Sequence, residues 1–369
     1  MFAAGPRFAG GPPAVIRLDG WLLVLLMLLM ALGLFVLYSA GEQDAGLVWR
    51  QAVRLGLGLA VLVIMAHFPP RVLELWAPWL FALALLLLVA TVFVGVGRGA
   101  QRWLDLGFIR FQPAEAMKLA LPLMLASWFS RRPLPPGWLD SLIGLGWIAL
   151  PAGLIFLQPD LGTAVLVTAS GLGLMFLAGL RWRVMALMGA GLTAALPLAW
   201  VNLHAYQQNR VLTFLNPERD PLGQGWNIIQ SKIAVGSGGW TGKGWQASTQ
   251  SHLEFLPEPH TDFIFSVLAE EFGFIGVMTL LFLYAAITLR ALFLASRCRD
   301  TFGRLLAGTV VLMFFLYMAV NVAMVSGLLP VVGVPLPLVS YGGTSAVTLL
   351  AGFGLLMGLY SRRRFMGES

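Results

Sequence analysis

Apolar runs of roughly twenty residues recur ten times along this chain, starting with the segment 20–40. Twenty residues is about the length at which an α-helix crosses the hydrocarbon core of a bilayer. With 58% hydrophobic and only 11% charged residues among 369, no ordinary soluble composition accommodates the pattern. The expected fold class is an all-α polytopic membrane protein of about ten transmembrane helices with one long extracytoplasmic loop at 202–261. The spans are expected at about 20–40, 48–67, 72–95, 113–130, 140–158, 160–180, 185–201, 262–289, 304–326 and 344–361. They make up one transmembrane domain, 20–361, between a Gly-, Pro- and Ala-rich N-terminal tail, 1–19, expected to be flexible, and a short C-terminal tail, 362–369.

The first run is longer than a signal-peptide core and lacks a small-residue cleavage pattern, Tyr38 standing in the way, so it reads as a retained span. The single cysteine, Cys298, excludes an internal disulfide framework. In a soluble protein the net charge of +7 would suggest nucleic acid. Here the basic residues lie mainly between spans, so topology accounts for them and the expected surroundings are membrane lipids, with no nucleic acid. A cytoplasmic N-terminus puts Arg71, Arg131, Arg132, Arg181, Arg183, Arg290, Arg297, Arg299 and Arg304 on the inner side, and both termini with them.

Some charges break that rule. On the outer side lie GRGAQRWLDLGFIR (97–110) and the long loop, which carries Arg210, Arg219, Lys232 and Lys243. A loop of that length in a compact helical protein is more often functional than a passive connection. A third outer segment, GLLPVVGVPLPLVSYGG (327–343), contains three prolines and ends just before Thr344, an expected N-cap for the last helix.

Within the spans, Glu115 and Lys118 are three apart at the start of the fourth and share a helix face. Two readings stand side by side: an ion pair that closes the bundle, or a polar cavity in which Lys118 meets an anion and Glu115 holds it. In the second span Arg50 and Arg54 are one turn apart. Arg50 can snorkel to the interface, whereas Arg54 is deeper and suits a phosphate or carboxylate. Asp160, after a proline and before a helix, is an N-cap by default. The stretch GSGGWTGKGW (236–245) is Gly-rich enough to cradle phosphates, but it follows no strand and lacks nucleotide-loop spacing.

The stretch EFLPEPHTDFIFSVLAEEFG (254–273) holds five carboxylates. Glu254 and Glu258 are loop residues, while Glu270 and Glu271 fall inside the eighth span and are expected to bond neighbouring helices. Asp262 lies at the mouth of that helix on the outer side. Its plain reading is an N-cap, and the free N–H groups and helix dipole there favour its ionised form, the state a general base requires.

The segments QPDLGTA, RVLTFLNPERDPLG, IIQSKIAVGSGG, FLPEPHTDFIFSVLAEEFGFIG and PLPLVSYGGTS, in this order on a ten-span frame, closely resemble the SEDS (shape, elongation, division and sporulation) family. LEFLPEPHTDFIF is closer to its elongation branch than to its division branch. The resemblance implies a peptidoglycan glycosyltransferase of the cytoplasmic (inner) membrane that polymerises lipid II on the outer face. It places the catalytic Asp at Asp262, the family's membrane Glu and Lys at Glu115 and Lys118, and its outer-loop Arg-Trp pair at Arg102 and Trp103. Asn209 stands where relatives commonly have Gln. The resemblance also implies a partner, a class B penicillin-binding protein transpeptidase.

Joining a sugar hydroxyl to an anomeric carbon expels a polyprenyl diphosphate, already a stable anion, so one base suffices where a glycosidase needs two carboxylates. The candidate cations for the diphosphate are Lys118, Arg102, Arg54, Lys232 and Arg210. A divalent cation, Mg or Mn, could share that task, although no motif names one. The polyprenyl tail requires a groove between spans that opens sideways to lipid. Two rival functions fit the same hydropathy: a lipid II flippase, which needs polar residues through its depth, and a scaffold for cell-wall enzymes, which gives no reason for charges within spans.

Overall fold

A computed structural model describes residues 18–96, 102–105, 107, 110–202, 205–216, 224–249 and 259–361. Residues 1–17 of the N-terminal tail, the C-terminal tail, Arg219, Glu254 and Glu258 lie outside the described residues. The helices are α1 (Gly20–Ala40), α2 (Ala45–His67), α3 (Pro70–Val94), α4 (Pro113–Ser130), α5 (Trp138–Leu157), α6 (Leu161–Leu177), α7 (Trp182–Asn202), α8 (Ala205–Leu215), α9 (Gln224–Ser237), α10 (Ile264–Ser296), α11 (Thr301–Val325) and α12 (Gly343–Ser361). All ten expected spans are helices, and the chain is a polytopic helical membrane protein. Among the described residues, seven helices are long and apolar enough to cross a bilayer on those grounds alone.

Local chemistry sets the helix starts. Asp19, Asp44, Asp160 and Asp300 each accept a hydrogen bond from a backbone N–H of the turn that follows, at 2.7–3.2 Å. Asp160 is therefore the N-cap its position suggested. Thr344 is not a cap, because α12 already begins at Gly343.

Asp19 is also bound by Arg290, whose Nη2 lies 2.6 Å from its carboxylate. Burial alone would raise the Asp19 carboxyl, but the hydrogen bonds from Arg290 and Leu22 outweigh it and hold the pKa below the ordinary value. The stabilisation is thus complete above the unfolded-state pKa of about 3.9 and fades as pH falls through the lowered native value. Asp19→Ala should cost about 0.5–2 kcal/mol at neutral pH. Thermal unfolding should show that difference shrinking as pH falls below the unfolded-state pKa of about 3.9.

Small residues fix the tightest helix pair. A Cβ on Gly354 or Gly358 of α12 would lie 2.3 or 2.4 Å from the carbonyl oxygens of Leu62 and Ala66 in α2, so only glycine allows this approach. At the centre, α4 touches α3, α5, α6, α11 and α12 and is buried along nearly its whole length. Protein rather than lipid surrounds its Glu115 and Lys118, which is how a charged helix is tolerated at this depth.

The segment 202–261 is expected to be a long loop, yet most of its described part is helical: α8 packs on α9, and α9 on α10. Its Gly-rich stretch has a structural task. α10 is broken at Gly273, where φ is 61°. The carbonyls of Glu270 and Glu271 accept instead from the N–H groups of Lys243 and Gly244, both at 3.0 Å. Beyond the break, Phe274 and Ile275 donate to the carbonyls of Gly239 and Trp240. Main chain meets main chain here, since a Cβ on Gly238 or Gly242 would lie 2.0 Å from the carbonyl oxygen of Ala269 or Glu271. The glycines thus splice a broken helix. Gly242→Ala, at φ 82°, should cost about 1–3 kcal/mol and expose 238–249 to protease; unchanged unfolding and proteolysis would refute the splice.

The third outer segment also departs from a surface connection, because 331–340 descends into the bundle. Val334, Leu336, Leu338, Val339 and Ser340 are buried. Tyr284 of α10 donates to Pro337 O at 2.6 Å, and Gln51 of α2 bonds both Ser340 O and Gly342 N. Gly33, midway along α1, permits the passage, since a Cβ there would be 2.8 Å from Val339 Cα. Irregular backbone at this depth requires partners within the protein, and Tyr284 and Gln51 supply them.

Candidate functional site

Asp262 sits in a turn at 259–263, ahead of α10, whose N-cap is Phe263. Asp262 thus stands before the cap position expected for it, and the hold on it is of another kind. Asn321 of α11, fully buried, donates from one amide nitrogen to Asp262 O (2.9 Å) and to Val334 O (2.7 Å). The carboxylate lies beside the re-entrant segment: a Cβ on Gly333 would be 3.4 Å from Asp262 Oδ2.

The same turn leads to Arg54. Tyr341 donates its N–H to His260 O at 2.9 Å, the two rings meet edge to face, and the Arg54 guanidinium lies 4.6 Å from the centre of the Tyr341 ring. On the other side, four residues before Asn321 on α11, Tyr317 packs beneath Lys118, with Nζ 4.7 Å from the ring centre. Lys118 donates to Glu115 at 2.5 Å, and both are at least 94% buried. The second carboxylate oxygen of Glu115 has no hydrogen-bond partner among the described residues. Arg54, Tyr341, His260, Asp262, Asn321, Tyr317, Lys118 and Glu115 therefore form one run of neighbours across α2, α4, α11 and the turn before α10.

The remaining expected residues are distributed around it. Arg102 donates to Gln158 O and Pro159 O and lies 3.8 Å from Asp160, while Gln112, just before α4, also reaches Asp160 at 3.3 Å. Trp103 is held by a main-chain bridge to Val96, next to a short hairpin pairing Leu104 with Phe111. Lys232 is exposed on α9, its side chain lying over Gly327 past the end of α11. Arg210 is on α8, and its side chain lies outside the described residues.

Of the other carboxylates, Glu271 accepts from Ser39 of α1, a helix neighbour as expected. Glu270 is taken up by the splice instead, accepting from Lys243, Ser248 and Thr249. No group of three or more His, Cys, Asp or Glu is gathered for a metal among the described residues. An apolar groove of about 570 Å³ opens between α5, α6 and α7, lined by Leu145, Ile148, Leu172, Phe176 and Met185.

Asn321, Tyr317 and Tyr341 are absent from the residues singled out by sequence. A signal was there for Asn321, an amide in the last turns of an otherwise apolar span, which is costly unless it bonds within the bundle.

Residues 19–364 match the FtsW/RodA/SpoVE family model, described as a cell cycle protein. The chain is 49% identical over 356 residues to peptidoglycan glycosyltransferase MrdB of Escherichia coli K12, covering 96% of each. It is 39% identical over 334 residues to MrdB of Helicobacter pylori 26695, covering 88% of this chain and 86% of that one. Among solved structures it resembles the rod shape determining protein RodA of Thermus thermophilus at 33% identity, with a TM-score of 0.72 over 95% of this chain and 99% of that one. It also resembles, at 38% identity and a TM-score of 0.82 over 94% of this chain and 99% of that one, a chain from a structure described as the structural coordination of polymerization and crosslinking by a peptidoglycan synthase complex.

Proposed function

The chain belongs to the FtsW/RodA/SpoVE family and is a peptidoglycan glycosyltransferase, and we propose that it polymerises lipid II during cell elongation with Asp262 as general base. The carboxylate takes the proton of the acceptor's 4-hydroxyl as that oxygen attacks C1 of the donor sugar. The C1–O bond to the diphosphate breaks, and the polyprenyl diphosphate leaves with the bonding pair, needing no acid. The observation that carries this reading is the placement of Asp262 in a turn held from both sides, by Asn321 and by the His260–Tyr341 contact that leads to Arg54.

Arg54, half-buried and stacked on Tyr341, is the cation best disposed to meet the diphosphate, with Arg102, Lys232 and Arg210 as further contributors from the same end of the bundle. Trp103 lies at that end as a substrate contact. Lys118, already committed to Glu115, supports the site from below by tying α4 to Tyr317 of α11. A divalent cation, if present, would supply further neutralisation of the leaving diphosphate.

The Asp262 end faces outward, with both termini cytoplasmic, because the connections at the opposite end carry Arg131, Arg132, Arg181, Arg183, Arg297 and Arg299. The groove between α5, α6 and α7 lies at mid-depth and toward that opposite end, which suits the far part of a long polyprenyl chain rather than its head. The partner is a class B penicillin-binding protein, by analogy with the synthase complex that this chain resembles.

The test is purified protein given labelled lipid II, with and without its transpeptidase, and resolved on a gel. Glycan strands that require Asp262 support the reading. Transfer of lipid II across vesicles without strands would replace it with the flippase.

A further inference from the structure

We infer that Asn321 is a positioning residue for the Asp262 carboxylate, a role that rests on Asp262 being the base. Two backbones border that carboxylate: its own turn and the re-entrant segment at Gly333. A single amide holds both. Asn321 Nδ2 donates to Asp262 O at 2.9 Å and to Val334 O, one residue past Gly333, at 2.7 Å. Both partners are carbonyls, which only accept, so the orientation of the amide follows from the chemistry.

Neither carbonyl belongs to a regular helix. Asp262 precedes α10, and Val334 lies in irregular backbone surrounded by protein, so each would lose its bond if the amide were absent. Asn321 is 0% exposed and projects from α11. Its Oδ1 has no hydrogen-bond partner among the described residues, and an unmet buried acceptor is a cost. Stability alone does not favour an asparagine here; holding two strands of irregular backbone in register around a carboxylate does. Tyr317, one turn earlier on the same face, carries the Lys118–Glu115 pair, so one helix fixes both the base and the buried charges beneath it.

The experiment compares Asn321→Ala, which removes both donors, with Asn321→Ser, whose single hydroxyl replaces at most one. Both are assayed with labelled lipid II, and rates are expressed per folded protein as judged by size exclusion and thermal unfolding. Misplacement of a reacting group by an ångström costs on the order of 10²-fold in rate. The Ala variant should therefore lose about 10²-fold in kcat with KM within about threefold, and the Ser variant should fall between it and the parent. The acidic limb of kcat against pH should also move, because it reports the ionisation of the base in altered surroundings. Loss of folded protein would scale the profile without moving it.

Gly333→Ala perturbs the other border of the carboxylate. Combined with Asn321→Ser it should be non-additive in kcat, and this pair carries the test if the Ala variant does not fold. Wild-type kcat per folded molecule, with any loss of activity following only the amount of folded protein, overturns the inference. Asp262→Asn run in parallel separates the two failures: if it is inactive while the Asn321 variants are fully active, the positioning role falls alone; if it is active, the proposed base falls too.

Discussion

Asp262→Asn is expected to leave no detectable glycan strands, because an amide cannot take the acceptor's proton and general-base assistance contributes about 10²–10⁴-fold in rate. The variant should fold like the parent. Asn and Asp are nearly isosteric, the bond that anchors the turn is made by the main-chain carbonyl of residue 262, and the N-cap of α10 is Phe263. Lipid II should still bind, since the proposed cations are untouched. Wild-type strand synthesis in a folded Asp262→Asn protein would remove the carboxylate from the mechanism.

The second large effect concerns the pair on α4. Lys118→Met leaves Glu115 buried opposite no cation, and breaking a buried ion pair from one side costs about 3–5 kcal/mol. Thermal unfolding in lipid nanodiscs should register the loss. The double replacement Glu115→Leu with Lys118→Met removes both charges and should recover most of that stability, as apolar substitutes for buried pairs often do. It should not recover activity, because the ammonium that packs on Tyr317, one turn from Asn321, is then missing from the floor of the site. An unchanged unfolding temperature in the single variant would show that the pair does not contribute to the stability of the bundle. Full activity in the double variant would reduce it to packing.

How far the sequence reveals this protein depends on the kind of signal. Most of the spans are legible because apolar length is a one-dimensional property, and the aspartates at 19, 44, 160 and 300 act on N–H groups a few residues away. What escapes is decided by partners far along the chain. The segment 331–340 has the composition of a loop, and only Tyr284, Gln51 and Gly33 show that it descends into the bundle. The glycines of 238–244 suggest a ligand when read alone; their task is set by a break in α10 some thirty residues later. Asp262 is singled out as the proposed base through the family resemblance, whereas Asn321, which binds its main-chain carbonyl, sits 59 residues away, and its partner cannot be read from its own span.

The break at Gly273 has a mechanical consequence. A continuous helix would make residues 264–272 the tip of a rod embedded in the membrane, moving only when the rod moves. The rod instead stops at Gly273: the stub is tied by main-chain hydrogen bonds to Lys243 and Gly244 and the rod to Gly239 and Trp240, while Lys243, Ser248 and Thr249 grip Glu270 on the stub's flank. Residues 238–249 thus hold both sides of the break, so a pull or push on them from outside the bundle reaches the stub that begins just after Asp262 directly, without passing through the length of the rod.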